Sequence, residues 1–221
     1  PARRVSNVKH KSVSYSLGVG ALIFDNVSRD DLATSTGNAT VSRFAQGENS
    51  RGAAGGLVSD YEVGEIMGDV AFKLGRMPVK VFAHYINNFG ADDDDATVGP
   101  AGTLAYDPED EDSGWLAGLQ LGKGKGRGGA RLKAYYTHLE GDAILDNFVD
   151  SDLGGGGANR EGVSLKFSYN ILKYLSLNAT ALFAQRIEPT AFTIDPVTGA
   201  VTGDNEDDDF QTYQLDLIWK F

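Results

Sequence analysis

Clustered carboxylates are the side chains of this sequence best suited to chemistry. Three clusters are present: Asp92, Asp93, Asp94 and Asp95; Glu109, Asp110, Glu111 and Asp112; and Asp204, Glu206, Asp207, Asp208 and Asp209. Oxygen-rich loops can bind Ca²⁺ or Mg²⁺, and the first cluster supplies the candidate ligands. None of the three has the Gly and final Glu of the helix-loop-helix calcium motif, so the favoured interpretation is a solvated, mutually repelling loop surface. No other cofactor is expected.

A catalytic arrangement is not visible. The three histidines, His10, His84 and His138, are far apart in sequence and lack the spacing of metal ligands, and His84 is interpreted as a polar interior residue. Residues 122–129 alternate Gly with Lys and Arg but lack the Gly-Lys-Ser/Thr ending of a phosphate-binding loop, which favours a flexible turn. The sequence therefore predicts a protein that is not an enzyme.

Composition narrows the class further. The chain of 221 residues has no Cys, 28 Gly and a net charge of −11, which excludes disulfide frameworks and argues against nucleic acid as a partner. Its mean hydropathy is −0.26, and no apolar run approaches the roughly 20 residues of a spanning helix. The apolar residues must therefore follow a pattern other than the continuous apolar run of a spanning helix.

The apolar residues recur with a period of two, which is typical of β-strands and not of helices. In the last segment, Tyr213, Leu215, Leu217, Trp219 and Phe221 fall on one face, and polar residues fill most of the other. Seven further segments alternate in the same way, each close to the length that a tilted strand needs to cross a bilayer. The eight predicted strands lie within residues 13–23, 65–74, 79–86, 115–121, 130–137, 163–169, 175–183 and 210–221.

The connections between these strands alternate between short and long. The long ones, residues 25–60, 87–113, 140–159 and 187–209, hold 26 of the 31 acidic residues and only three of the 20 basic ones. Short turns at one rim and long loops at the other are typical of outer-membrane barrels. The basic opening of the chain, with Arg3, Arg4, Lys9, His10 and Lys11, could be a further turn.

The two faces of the strands differ in kind. One face is apolar, with aromatic residues near both rims, as expected at two membrane interfaces. Phe82, Ile86 and Leu116 interrupt the other face and are interpreted as local misfits. The predicted pore-lining residues on this polar face are Glu65, Asp69, Lys73, Lys80, His84, Arg131, Lys133, Lys166, Asp216 and Lys220. Their surplus of positive charge favours a wet interior, wider than that of a closed eight-stranded barrel.

Two resemblances support this interpretation. The ending Tyr213-x-Leu215-x-Leu217-x-Trp219-x-Phe221 resembles the assembly signal of bacterial outer-membrane proteins. Residues 61–221 look like the C-terminal part of a bacterial outer-membrane porin family. The motifs that carry this second resemblance are Met77-Pro-Val79, Tyr85-Ile-Asn-Asn88, Gly118-x-x-x-Gly122-Lys123, Glu140-Gly-Asp-Ala143, Asp150-Ser-Asp-Leu153 and Gly162.

The resemblance implies a longer protein with more strands, inserted by the barrel assembly machinery into the bacterial outer membrane. The sequence thus predicts one all-β domain over residues 1–221, a transmembrane antiparallel up-and-down β-barrel segment. Its eight strands would form the C-terminal half of a barrel of about sixteen strands. Expected partners are outer-membrane lipid, lipopolysaccharide and, as in many porins, two further copies in a trimer.

Two functions fit these expectations. The first is a porin of a Gram-negative bacterium, a channel for passive diffusion of small hydrophilic solutes or ions. The second is a complete eight-stranded barrel with a filled interior and a structural, anchoring or adhesive role. An outer-membrane hydrolase or acyltransferase is not supported, because no Ser–His or His–carboxylate arrangement is visible in the sequence.

Overall fold

The computed structural model describes residues 2–9, 13–24, 49, 60–91, 111–145, 148–149, 152, 157–187, 192–194, 201–203 and 209–220. These residues form an all-β structure with almost no helix. Within these ranges, no helix has the length and apolar character that crossing a membrane would require.

Nine strands form one antiparallel sheet in which each strand pairs with the next strand of that sheet along the chain. This is the up-and-down topology that the alternating segments predict. The strands are β1 (Ala2–Lys9), β2 (Val13–Phe24), β3 (Tyr61–Leu74), β4 (Met77–Asn88), β5 (Ser113–Gly122), β6 (Ala130–Leu139), β7 (Arg160–Leu172), β8 (Leu175–Arg186) and β11 (Phe210–Trp219).

Strand β1 corrects the sequence interpretation of the basic opening. Arg3, Arg4 and Lys9 lie in a strand that pairs with β2 along its whole length, and not in a turn. His10 and Lys11 lie outside the described residues. All eight predicted strands are present, and β1 is a ninth that the short, charged opening did not predict.

The sheet is open. Its two edge strands, β1 and β11, do not pair with each other in the described part of the chain. A separate hairpin, β9 (Phe192–Ile194) with β10 (Val201–Gly203), lies within the last long connection and was not predicted. The expected closed barrel and its size are therefore not shown by this structure.

Short turns join the strands at one end of the sheet. Gly75 and Arg76 connect β3 to β4, and Gly75 has a φ of 62°, which suits glycine at the first position of a two-residue hairpin turn. The Gly-rich residues 123–129 connect β5 to β6, as predicted. Asn170 of β7 holds this turn, because its side-chain amide donates to the Gly124 carbonyl at 2.6 Å.

Burial is distributed in the opposite way to that of a water-soluble sandwich. Large apolar side chains on one face are open along the whole sheet, for example Leu17 at 52%, Val81 at 49% and Leu215 at 73% exposure. The few buried apolar side chains among the described residues, such as Tyr61, Val63 and Leu145, lie at the long-loop end of the other face. The core therefore sits on the polar face, and the apolar face is uncovered.

Aromatic rings gather near both ends of the uncovered face. Trp115 packs against Tyr136 with ring centroids 5.4 Å apart, near the long-loop end. At the short-turn end, Tyr174 lies 5.7 Å from Trp219. Trp115, Tyr136 and Trp219 were predicted among the aromatic residues near the rims, and they do lie at the two ends of one face.

Candidate functional site: the polar face and the segment folded against it

The polar face brings most of the predicted pore-lining residues together. Nine of them lie in β3, β4, β6, β7 and β11 at positions that alternate with the exposed apolar residues, and so point to the opposite side of the sheet. Lys220 follows β11, and its backbone N–H donates to the Tyr174 carbonyl at 2.8 Å. The role of all ten in lining a pore stays a prediction.

Two acidic residues of β3 are paired with bases of β4. Asp69 lies 3.1 Å from the Lys80 ammonium and also accepts a hydrogen bond from the Ser16 hydroxyl. Closer to the long-loop end of the sheet, Oε2 of Glu65 lies 3.0 Å from Nε2 of His84. His84 is thus held by a carboxylate on this face, an arrangement that alternation alone does not reveal.

Strand pairing aligns polar residues in a row across the middle of this face. Register places Lys80 beside Gln120, Gln120 beside Lys133, and Lys133 beside Lys166. Two lysines directly opposite each other repel, which is unfavourable in a dry interior and tolerable next to water. This row therefore favours a hydrated surface.

Lys133 extends sideways over two aromatic rings. Its Nζ lies 4.8 Å from the centroid of Phe82 and 4.5 Å from that of Tyr135, distances typical of cation–π contacts. Gly118 on the intervening strand makes this possible, since a Cβ there would lie 2.4 Å from Cβ of Tyr135 and 2.8 Å from Cζ of Phe82. Phe82 is therefore not a misfit; it supports a charged side chain.

Residues 141–145 together with residues 148 and 149, here called the inward segment, fold against the long-loop end of the polar face. Leu145, which is 1% exposed, packs with Tyr61 and Val63, and Ile144 lies beside them. The Phe148 ring lies 5.0 Å from that of Phe24. Part of the connection predicted as an extracellular loop, residues 140–159, is therefore packed against the sheet.

Buried polar contacts fix the inward segment. The Tyr61 hydroxyl donates to Oδ1 of Asp142 at 2.9 Å, and Asp142 is fully buried. The Asn88 amide donates to the Asp142 carbonyl at 2.9 Å, and the Asn49 amide donates to the carbonyls of Gly141 and Ile144. Hydrogen bonds of this kind are needed because an unpaired buried polar group is costly.

This packing also shows that the sheet curls. One cavity is lined by side chains from β2 through β7, including Leu22 and Ser164, together with the inward segment. In a flat sheet, five strand spacings would separate β2 from β7 by about 24 Å. The polar face is therefore the concave one.

Ile86 and Leu116, interpreted from the sequence as misfits in the alternation, lie on the concave face at its apolar, long-loop end. Ile86 packs against the cluster of Tyr61, Val63 and Leu145 and against a second buried cluster of Leu139, Ala143 and Ala158. Leu116 lines the cavity beneath the inward segment. The sequence signal for this contact is the apolar run from Ala143 to Leu145 within an otherwise acidic loop, together with the apolar residues on the polar face. Neither signal alone identifies the partner.

Other predicted residues are not part of this site. Tyr213, Leu215, Leu217 and Trp219 lie on the exposed apolar face of β11, and Phe221 is outside the described residues; their role as an assembly signal stays a prediction. His138 lies near the rim on the apolar face and contacts Glu161 at 3.0 Å.

The predicted cation ligands are not tested by the structure. Asp92, Asp93, Asp94 and Asp95 lie outside the described residues. Among the residues that are described, no group of three or more His, Asp or Glu side chains is arranged to hold a metal ion.

Comparison with known proteins gives one match. The sequence profile of a protein family described as "Putative porin" matches residues 29–201, which is most of the chain. The match begins upstream of the region in which the sequence motifs resemble porins. No curated protein and no solved structure matches.

Proposed function

The chain belongs to the family of putative porins, and from that premise we propose that it is part of an outer-membrane channel for passive diffusion of small hydrophilic solutes or ions. The observation that carries the proposal is the inverted sheet, with an uncovered apolar face outside and a concave charged face inside. No turnover and no cofactor are required for such a function.

The apolar face supports a membrane location. A face with side chains such as Leu17, Val81 and Leu215, each at least 49% exposed, would be an aggregation hazard in water. In a bilayer, hydrocarbon covers such a face, while the strand ladder satisfies the backbone. The aromatic rings at both ends of the face suit the two interfaces.

The concave face supports a water-filled interior. The predicted pore-lining residues on it include six Lys or Arg side chains and, besides His84, three acids, and Lys133 and Lys166 are direct neighbours. Holding ionised groups away from water would cost several kcal/mol per ion, on the order of the whole stability of a domain. An aqueous channel removes that cost.

The open edges support a larger barrel. In the proposal, β1 and β11 pair with further strands of a longer chain, giving about sixteen strands in all. Closing only the strands seen here would make a barrel that its own side chains fill. The barrel assembly machinery, lipopolysaccharide contacts and a trimer remain part of this proposal.

The inward segment gives the channel a constriction. The inward segment occupies the concave face at the long-loop end, so a solute entering from that rim meets it before it meets the charged row. Sieving is then decided by the space between the segment and the opposite wall. The charged row below biases passage by sign.

Single-channel recording of the full-length protein in planar bilayers tests the proposal. We expect stable conductance steps, and we expect Lys80→Glu and Arg131→Glu to shift the reversal potential towards cation preference. Lys173→Glu, in the β7–β8 turn, is the matched control and should shift it less. A protein that inserts but never conducts would overturn the channel and favour a structural or adhesive barrel with a filled interior.

A further inference from the structure

Two cavities adjoin on the concave face. The upper one, of about 260 Å³, lies beneath the inward segment and is mainly apolar, with Leu22, Ile86, Leu139, Ile144 and Phe148 among its walls. By comparison, a dry apolar cavity of roughly 150 Å³ can bind benzene. The upper cavity is therefore large enough for one aromatic or branched aliphatic group.

The lower cavity, of about 570 Å³, is charged. Glu65 and Asp69 line it on the β3 side, and Lys80 and Lys133 line it on the β4 and β6 sides. Both signs of charge thus face one space, at fixed positions. Lys80 is paired with Asp69 and His84 with Glu65, so a ligand that carries one group of each sign can contact both sides of this space.

The two cavities share a boundary. Glu65, His84 and Leu116 line both of them, so a molecule could place its apolar end above this boundary and its charged end below it. The predicted misfit Leu116 is then the wall residue at which the environment changes from apolar to charged.

We propose that these adjoining cavities bind an apolar α-amino acid as its zwitterion, on its way through the channel; this inference rests on the proposed function. The ammonium group faces the carboxylates of Glu65 and Asp69, and the carboxylate faces the ammonium of Lys133. The aromatic or branched side chain enters the upper cavity beneath the inward segment.

The charged groups are positioned for this ligand before it binds. Lys133 is supported by the rings of Phe82 and Tyr135, and Phe82 is the register partner of Asp69. The acid and the base therefore flank one ring. Side chains that are already ordered lose less entropy on binding, which raises affinity for a ligand with matching charges.

Blockade of the ion current by four probes tests the inference. The probes are phenylalanine, glycine, phenylalaninamide and N-acetylphenylalanine, added to the full-length protein in planar bilayers. We expect phenylalanine to block at a concentration at least about tenfold lower than glycine, because only phenylalanine buries an apolar group. The two derivatives, each with one charge removed, should be weaker than phenylalanine.

Variants separate the two halves of the site. Lys133→Gln should weaken the block by phenylalanine about tenfold, roughly the loss of one charge-assisted contact, and should leave the block by phenylalaninamide nearly unchanged. Leu116→Phe, which reduces the upper cavity, should weaken the block by phenylalanine and spare glycine. Lys125→Gln, in the β5–β6 turn, is the control, and stable conductance steps in salt show that each variant is folded and inserted.

The outcomes distinguish the inference from the proposed function. A protein without conductance in salt would overturn the channel itself. A conducting channel that responds alike to phenylalanine and glycine would overturn only the amino-acid site. Equal block by phenylalanine and by N-acetylphenylalanine would also overturn it, since the ammonium group would then contribute nothing.

Discussion

Consecutive residues of strand β5 lie in two different environments. Leu119 is 41% exposed on the apolar face, where no other described element covers it. Its neighbours Gly118 and Gln120 lie on the concave face, where Gly118 lets Phe82 and Tyr135 approach and Gln120 stands next to Lys133. A single strand thus separates a face suited to hydrocarbon from one suited to water.

The difference shows where stability comes from. On the apolar face the favourable free energy requires the bilayer, since the chain itself does not remove those side chains from water. On the concave face, contacts within the protein and hydration by water both stabilise the side chains. The inward segment supplies the buried contacts. Substitutions on the two faces should therefore destabilise the protein for different reasons.

The largest effect is expected from a charge on the apolar face. Leu119→Arg should lower the free energy of unfolding in lipid vesicles by about 2–4 kcal/mol, the cost of a cation at the bilayer midplane. Gln120→Arg, one residue away, should lower it by less than about 1 kcal/mol, because its side chain reaches water. Denaturant titration of folded vesicle samples measures both, and equal losses would contradict the assignment of faces.

A smaller effect is expected from filling the space at Gly118. Gly118→Val should cost about 1–3 kcal/mol, because its added atoms would overlap the Tyr135 side chain and the Ala134 carbonyl. Ala117→Val, on the apolar face of the same strand, should change stability by less than about 0.5 kcal/mol. The same titration measures the pair, and a harmless Gly118→Val would show that Phe82 and Tyr135 do not need the gap.

The smallest effect is local to the inward segment. Tyr61→Phe removes the buried hydrogen bond to Asp142 and should weaken docking of the segment by about 1 kcal/mol, roughly fivefold in its undocked population. Hydrogen exchange at the backbone amides of residues 141–145 should accelerate accordingly. Tyr85→Phe, on the apolar face, is the control, and acceleration in both variants alike would contradict a specific docking contact.

Much of the fold could be predicted from the sequence, because period-two alternation reports directly on which face each side chain takes. All eight predicted strands and the short turns between them are present. Strand β1 was missed because its charged residues, Arg3, Arg4 and Lys9, resemble a turn, and only pairing with β2 shows it to be a strand.

The site could be predicted less completely. Alternation places Asp69, Lys80 and Lys133 on one face but does not say which of them meet, since that depends on register across strands. Phe82, Ile86 and Leu116 break the pattern, so alternation alone assigns them no role. Their contacts lie with Lys133 and with the inward segment, partners distant in sequence.

The sequence by itself determined the strands, their two faces and the concentration of acidic residues in the long connections, because each of these is a local property of a few neighbouring residues. Only the tertiary structure decided the row of lysines, the Glu65–His84 pair and the docking of the inward segment. Those contacts arise from pairing register and from curling of the sheet, which bring together side chains that no local pattern connects.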